Sequence, residues 1–419
     1  MKNLLVLIIL ALVASLMFSI NALAGVDITF WHYPTIQPIE EGQEAGWYED
    51  KVIAEFEALY PNIKVNHQVI PWQDGAAKFN IAIASGAAPD VVWTDEQQLL
   101  DWANRGLLLD FEDLLTKEEK ADYDEFTFKK CIMNEKVVIL PWYRGAACMA
   151  VNYDIAVEAG AVDLLPQNPL RTWTIEEFET YLRAIKPYCD EKGYIVACVP
   201  AIGAEHHTWM LMMQWGAEVF SKDLSKCTLN SPEGVKAMEW FLHLRDEGLQ
   251  PPHPENEPGD TELYYAYMDG KVGMYFCAGS NLAYPSVTGL NSYLTTKPGP
   301  LPEPRTWVSM CGVVAFDNGN AEKAKASKLF AKFFADKQEE LFELGLFPVK
   351  KSVKFEWDNH NMQYLNDVTD YGYDFPTASP HYREARKLFS AELQAAYAGI
   401  KTVQEALDDF CKSVNVLIK

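Results

Sequence analysis

Three apolar runs in the first hundred residues end in an aromatic ring beside a polar group. Trp31 and His32 close the run from Val26, Trp72 and Asp74 follow the run 63–70, and Trp93 and Asp95 follow Val91 and Val92. A flat ring next to an acid or imidazole suits a polyhydroxylated ligand. The ring stacks on the ligand's apolar face while fixed polar groups bond its hydroxyls. In open α/β sheets ligands bind beyond the carboxyl ends of the strands, so these positions are candidates by topology alone. Each also has a structural reading. Trp31 or His32 could simply pack, and Asp74 could cap the helix after it. Asp95 is likewise placed as an N-cap, and a capping carboxylate has little left to offer a ligand.

Alternating strands and helices must position these ends. Residues 26–31 alternate like a strand. Residues 46–60 put Val52, Ile53, Phe56 and Leu59 on one helical face, and Pro61 stops them. Residues 63–70 read as a half-buried strand, 73–86 as a helix closed by Gly86, 91–93 as a third strand and 95–105 as a third helix. The alternation predicts an α/β unit with a mostly parallel sheet. The stretch 135–160 differs: it reads as a long apolar strand broken at Pro141 and resumed after Gly145, suited to leaving one domain and entering another. Further on, Thr174 with Glu177 forms a capping box, and Ser231 with Pro232 opens a helix that ends at Gly248. Residues 320–343 and 401–418 predict two more helices. Pro-rich loops occupy 250–260 and 297–305, the second suited to a return crossing.

Composition narrows the chemistry. A chain of 419 residues with 49% hydrophobic and 23% charged residues is globular and long enough for two lobes. A net charge of −23 argues against nucleic acid and anionic membranes as partners. Lys2, the apolar run 4–20 and Ala22-Leu23-Ala24 read as a secretory leader cleaved before Gly25, with no cysteine for lipidation; a membrane anchor is the alternative. The eight cysteines are dispersed without a C-x-x-C pair, which disfavours a metal ribbon, and their pairing is not legible. No catalytic motif of the G-x-S-x-G or H-E-x-x-H type occurs. Neither a cofactor nor a metal is expected.

Taken together, "GAAPDVVWTDEQQLLDWANRGLLLDF", "VVILPWYRGAACMAVNYDIAVEAG", "RTWTIEEFETYLRAIK", "NSPEGVKAMEWFLHL", "YMDGKVGMYF", "LFPVKKSV" and "TVQEALDDF" carry a resemblance over nearly the whole mature chain. The chain resembles the extracellular solute-binding proteins of ABC importers, in the sugar-binding family that includes maltose-binding protein. The resemblance implies an α/β, two-lobed periplasmic binding protein fold of type II, with a ligand cleft between lobes joined by several hinge crossovers. It implies a first lobe of 25–145 plus 303–340 and a second of 146–302 plus 341–419. It also implies a monomeric periplasmic receptor that delivers a small-molecule ligand to an inner-membrane ABC permease.

The same resemblance nominates further contacts. Trp142 and Arg144 lie at the first crossover, where Arg144 could fork onto ligand hydroxyls or make an interlobe ion pair. Glu205, His206 and Trp209 match the stretch that supplies second-lobe contacts. The neighbouring His206 and His207 lack a third ligand and argue against a metal. The chain departs from the family after "GKVGMYF", where an aromatic ring is usual. Asn281 stands close to that position, with Trp307 as an alternative source of the ring. Tyr382 lies in a segment that often completes the cleft. Two other functions stay open: the same fold for a non-sugar solute such as a polyamine, and a secreted glycosidase using paired carboxylates.

Overall fold

The computed structural model describes residues 25–36, 38, 40–96, 98–166, 171–198, 205–251, 263, 266–278, 290–293, 306–344, 346–354, 363, 366, 368–373 and 379–419. Its main strands are β1 (Val26–His32), β2 (Ile63–Val69), β3 (Val91–Asp95), β4 (Leu140–Asn152), β5 (Ile195–Cys198), β6 (Val272–Ala278), β7 (Leu290–Tyr293), β8 (Thr306–Ala315) and β9 (Phe347–Pro348). Its main helices are α1 (Trp47–Leu59), α2 (Trp72–Ala84), α3 (Leu99–Asn104), α4 (Ile175–Lys192), α5 (Glu205–Gln214), α6 (Pro232–Asp246), α7 (Ala321–Ala335), α8 (Tyr382–Tyr397) and α9 (Val403–Ile418).

The strands join in the order β2-β1-β3-β8-β4-β6-β5. β1, β2 and β3 are parallel, as the strand–helix alternation predicts, and their carboxyl ends share one edge. β3 is buried along Val91, Val92, Trp93 and Thr94, which fits a strand covered on both faces. β8 runs antiparallel to β3 and to β4. The far half of β4 then pairs with β6 and β7.

Two cores flank this passage. The first packs Phe30, Phe56, Val92 and Trp102 against Phe330 and Phe334 of α7. The second packs Phe178, Leu182, Trp209 and Phe241 against Phe389 of α8 and Phe410 of α9. β4 and β8 each contribute to both, so a long strand pair carries the chain from one lobe to the other.

Several local expectations change. β4 runs through Pro141 unbroken, because Pro141 faces Gly312 where the β8 register shifts, and the missing N–H falls at an irregularity. Gly312 is needed there: a Cβ would lie 2.3 Å from the Leu140 carbonyl oxygen. The first core also extends past residue 340, the boundary read from the sequence. Leu341, Leu346 and Val349 pack within it. Gln338 is the cause: it accepts from the Val349 and Lys350 N–H groups, each at 3.0 Å, and donates to the Pro141 carbonyl. Trp307, expected in the first lobe, packs in the second core. The predicted capping boxes and caps are present at Thr174–Glu177 and Ser231, and a further box at Thr402–Glu405 opens α9.

Candidate functional site

Asp95 does not cap a helix, and Asp74 does not stand at an N-cap position. β3 extends to Asp95 because Asp95 pairs in register with Cys311 of β8, and α3 starts only at Leu99, after an N-cap at Gln98. α2 starts at Trp72 after Pro71, so Asp74 already lies inside the first helical turn. The cap alternatives are removed by where the strands and helices end.

The end of β3 brings several polar groups to the lobe boundary. Glu96, 5% exposed, follows Asp95 directly. Its carboxylate accepts from Lys130 Nζ at 3.1 Å and from Trp307 Nε1 at 3.2 Å. Lys130 Nζ also donates to the Val308 carbonyl at 3.1 Å. First-lobe Glu96 is thereby tied to a ring in the second core. Trp93 lies behind, buried, its ring stacked on Tyr143 with centroids 6.0 Å apart and edge-on to Tyr33 at 6.0 Å. Gln98 Nε2 donates to the Tyr33 hydroxyl at 3.3 Å.

The opposite wall comes from α5 and α8. Glu205 opens α5 and is buried; Arg386 donates to its carboxylate from Nη2 at 3.1 Å and Nε at 3.2 Å, and the Ser390 hydroxyl donates to its other oxygen. One turn earlier on α8, the Tyr382 ring lies under the Arg386 guanidinium, 5.9 Å from its centre, and edge-on to Trp209 at 5.8 Å.

Electrostatics join the two walls. Burial raises the Tyr382 phenol, Arg386 opposes it, and the carboxylates of Asp95, Glu96 and Glu205 push it further up. Tyr33 is pushed up to about 12 by burial and then by Asp95, while Arg383 of α8 draws it down. Groups from both lobes thus share one electrostatic environment, within which Arg383 Nε is buried without a hydrogen-bond partner among the described residues. Such a collection of acids and guanidinium groups can bond several hydroxyls, while the rings among them are buried in this structure.

The other candidates lie elsewhere or turn inward. His32 is fully buried: Nε2 lies 2.9 Å from His67 Nδ1, and Nδ1 lies 3.2 Å from the Tyr33 carbonyl and 3.3 Å from Glu49. Burial lowers its pKa to about 4 and raises that of Glu49 to about 7. Trp142 is buried in the first core, stacked on Tyr48, its Nε1 donating to the Lys337 carbonyl at 3.0 Å. Trp209 is buried in the second core. Trp31 is half-buried against Phe79, with Lys78 over its ring. Arg144 pairs with Asp124 at 3.5 Å, on its own side of the boundary. The side chains of Trp72, Asp74 and His206, and all of Asn281, lie outside the described residues.

Glu96, Tyr33, Arg383 and Arg386 were not singled out from the sequence. Glu96 sat beside the chosen Asp95 and could have been found from the same strand-end argument. The arginines carry no such signal, because only the docking of α8 brings them to the boundary. An apolar cavity of about 270 Å³, lined by Val26, Leu59, Tyr60, Leu329 and neighbours, lies at the start of β1, at the opposite end of the strands from these groups. Among the described residues no group of three or more His, Cys, Asp or Glu could hold a metal. No described helix is long and apolar enough to cross a membrane.

Comparison with known proteins agrees with this architecture. A Brucella abortus (strain 2308) binding protein is 24% identical over 396 residues, covering 91% of this chain and 92% of the relative. The solved ABC substrate-binding protein of Listeria monocytogenes in complex with cycloalternan superposes with a TM-score of 0.78 at 18% identity, over 94% of this chain and 99% of that one. An ABC transporter solute-binding protein of Thermotoga lettingae bound with α-D-tagatose gives a TM-score of 0.78 at 19% identity, over 94% and 100%. The fold is that of a two-lobed type II periplasmic binding protein. The profile of the bacterial extracellular solute-binding proteins matches residues 51–405, most of the chain, and the chain belongs to that family.

Proposed function

We propose that this protein captures a sugar or oligosaccharide between its lobes and delivers it to an ABC permease in the inner membrane. The observation that carries the reading is the polar and aromatic set at the lobe boundary: Asp95, Glu96 and Tyr33 from the first lobe, Tyr382, Arg383 and the Glu205–Arg386 pair from the second. Rings beside acids and guanidinium groups suit a ligand with apolar faces and many hydroxyls better than a polyamine, which would want carboxylates without cations among them. The Listeria and Thermotoga proteins, in complex with cycloalternan and bound with α-D-tagatose, support a carbohydrate over other solutes. β4 and β8 would act as the hinge around which the lobes close. We place the mature chain in the periplasm, beginning at Gly25 after removal of the leader.

Calorimetry of the purified mature protein against a panel of mono- and oligosaccharides, with spermidine as the non-sugar comparison, tests this. Saturable sugar binding with compaction in X-ray scattering is expected. Tight binding of spermidine with no response to any sugar would overturn the reading. Turnover of a bound sugar to a hydrolysed product would revive the glycosidase alternative.

A further inference from the structure

Cys131, Cys189, Cys227, Cys311 and Cys411 are buried thiols, and two of them meet. Cys227 follows an extended turn, bridged to Phe220, and Cys411 sits in the middle of α9. Their side chains are close enough to hydrogen-bond to each other. Two polar ties flank the meeting point. The Cys227 N–H donates to Asn415 Oδ1 at 2.8 Å, one turn after Cys411, and Asn230 Nδ2 donates to Asp408 Oδ1 at 2.7 Å, one turn before it. The 227–230 segment therefore lies along one face of α9 with Cys411 at its centre.

We propose that Cys227 and Cys411 are joined by a disulfide in the exported protein, stapling α9 to the second lobe. The family is extracellular, and exported proteins fold where disulfides form and persist. One of the two cysteines, once ionised, attacks a disulfide of the oxidant, either a protein oxidoreductase or oxidised glutathione, forming a mixed disulfide and expelling one thiolate. The other then loses its proton, attacks the sulfur of the first and expels the second thiolate. Two electrons and two protons pass to the oxidant, which ends as a dithiol or two thiols. Both cysteines are buried in the folded chain, at 5% and 3% exposure, so the reaction precedes the final docking of α9. α9 packs on α8, which carries Tyr382, Arg383 and Arg386, so the staple also secures the second wall of the candidate site.

The proposal rests on export and not on the ligand, so failure of sugar binding would leave it standing. Its test is peptide mapping of the full chain secreted through its own leader, alkylated in denaturant without reductant. The Cys227 and Cys411 peptides should be recovered as one cross-linked species that separates on reduction. The peptide itself is the readout, because Cys148 and Cys277 are register partners on neighbouring antiparallel strands and a thiol count would confuse the two pairs. Recovery of both peptides alkylated, or of either joined to another cysteine, would overturn it. The denaturation midpoint of the wild type should fall when reductant is added, while that of the Cys227→Ala, Cys411→Ala double variant should not move. Equal midpoints for the wild type with and without reductant would overturn the staple.

Discussion

The ends of β1 and β3 adjoin in one sheet and carry similar sequence, Trp-His at one and Trp-Thr-Asp-Glu at the other, yet they do different things. At β1 the polar group faces inward. His32 sits in a chain that runs from Glu49 through His32 and His67 to Asp50, all within the first lobe. At β3 the polar groups face the lobe boundary. Glu96 accepts from Trp307, and Asp95 and Glu96 both act on Tyr382 of the other lobe. The neighbour decides this. β1 lies between β2 and β3, while β3 lies beside β8, which enters the second lobe. A strand end reaches the other lobe only where an adjacent element leads out of its own core.

The contrast is most strongly tested at Glu96. Glu96→Ala leaves the largely buried Lys130 ammonium without its carboxylate, and should destabilise the protein by about 3–5 kcal/mol in denaturant titration. Replacing the pair together, as Glu96→Leu with Lys130→Met, should recover most of that loss. An equal loss in the double variant would show that the ion pair is not what holds this strand end.

The closed chain at β1 should be read out by pH instead. His32 titrates at about 4 when folded and 6.5 in its ordinary state, Glu49 at about 7 and 4.5. Between pH 4.5 and 6.5 the unfolded chain holds a proton on His32 that the folded protein lacks, and the folded protein holds one on Glu49 that the unfolded chain lacks. The two counts cancel, so the pair gives almost no slope. Glu49→Gln should uncover His32: stability is full above pH 6.5 and is lost as pH falls through 4. His32→Asn should uncover Glu49, with stability full below pH 4.5 and lost as pH rises through 7. Each change should amount to something on the order of 3 kcal/mol. Parallel pH profiles for the two variants would break the cancellation.

Smaller effects separate binding from folding. Asp95→Asn and Arg383→Ala should each weaken sugar affinity by roughly tenfold, about 1.4 kcal/mol, with little change in thermal midpoint. Loss of stability without loss of affinity would move Asp95 from the site to the scaffold. The smallest effect is expected for His32→Asn on binding: at pH 7.5, calorimetry should give an affinity within about twofold of wild type, the scatter of a distant, independent substitution.

The α/β alternation, the amphipathic helices and the caps at Thr174 and Ser231 were legible because each depends on residues a few positions apart. Strand length was less so. The helix read over 95–105 shrank to Leu99–Asn104 because pairing with Cys311 holds Asp95 in the sheet, and that partner lies more than two hundred residues away. Pro141 misled in the same manner: its tolerance depends on Gly312. The strand-end argument chose Asp95, which lies at the lobe boundary, and also His32, which turns inward, since periodicity fixes which face a side chain takes and not which element covers that face.

The sequence by itself determined that this chain alternates strands and helices and sets rings beside polar groups at strand ends, because composition and short-range spacing encode those properties. Only the tertiary structure decided which of those groups reach the lobe boundary, that Glu96 and α8 belong there, and that Cys227 meets Cys411. Those are contacts between segments far apart in sequence, set by side-chain packing and strand register that no local pattern records.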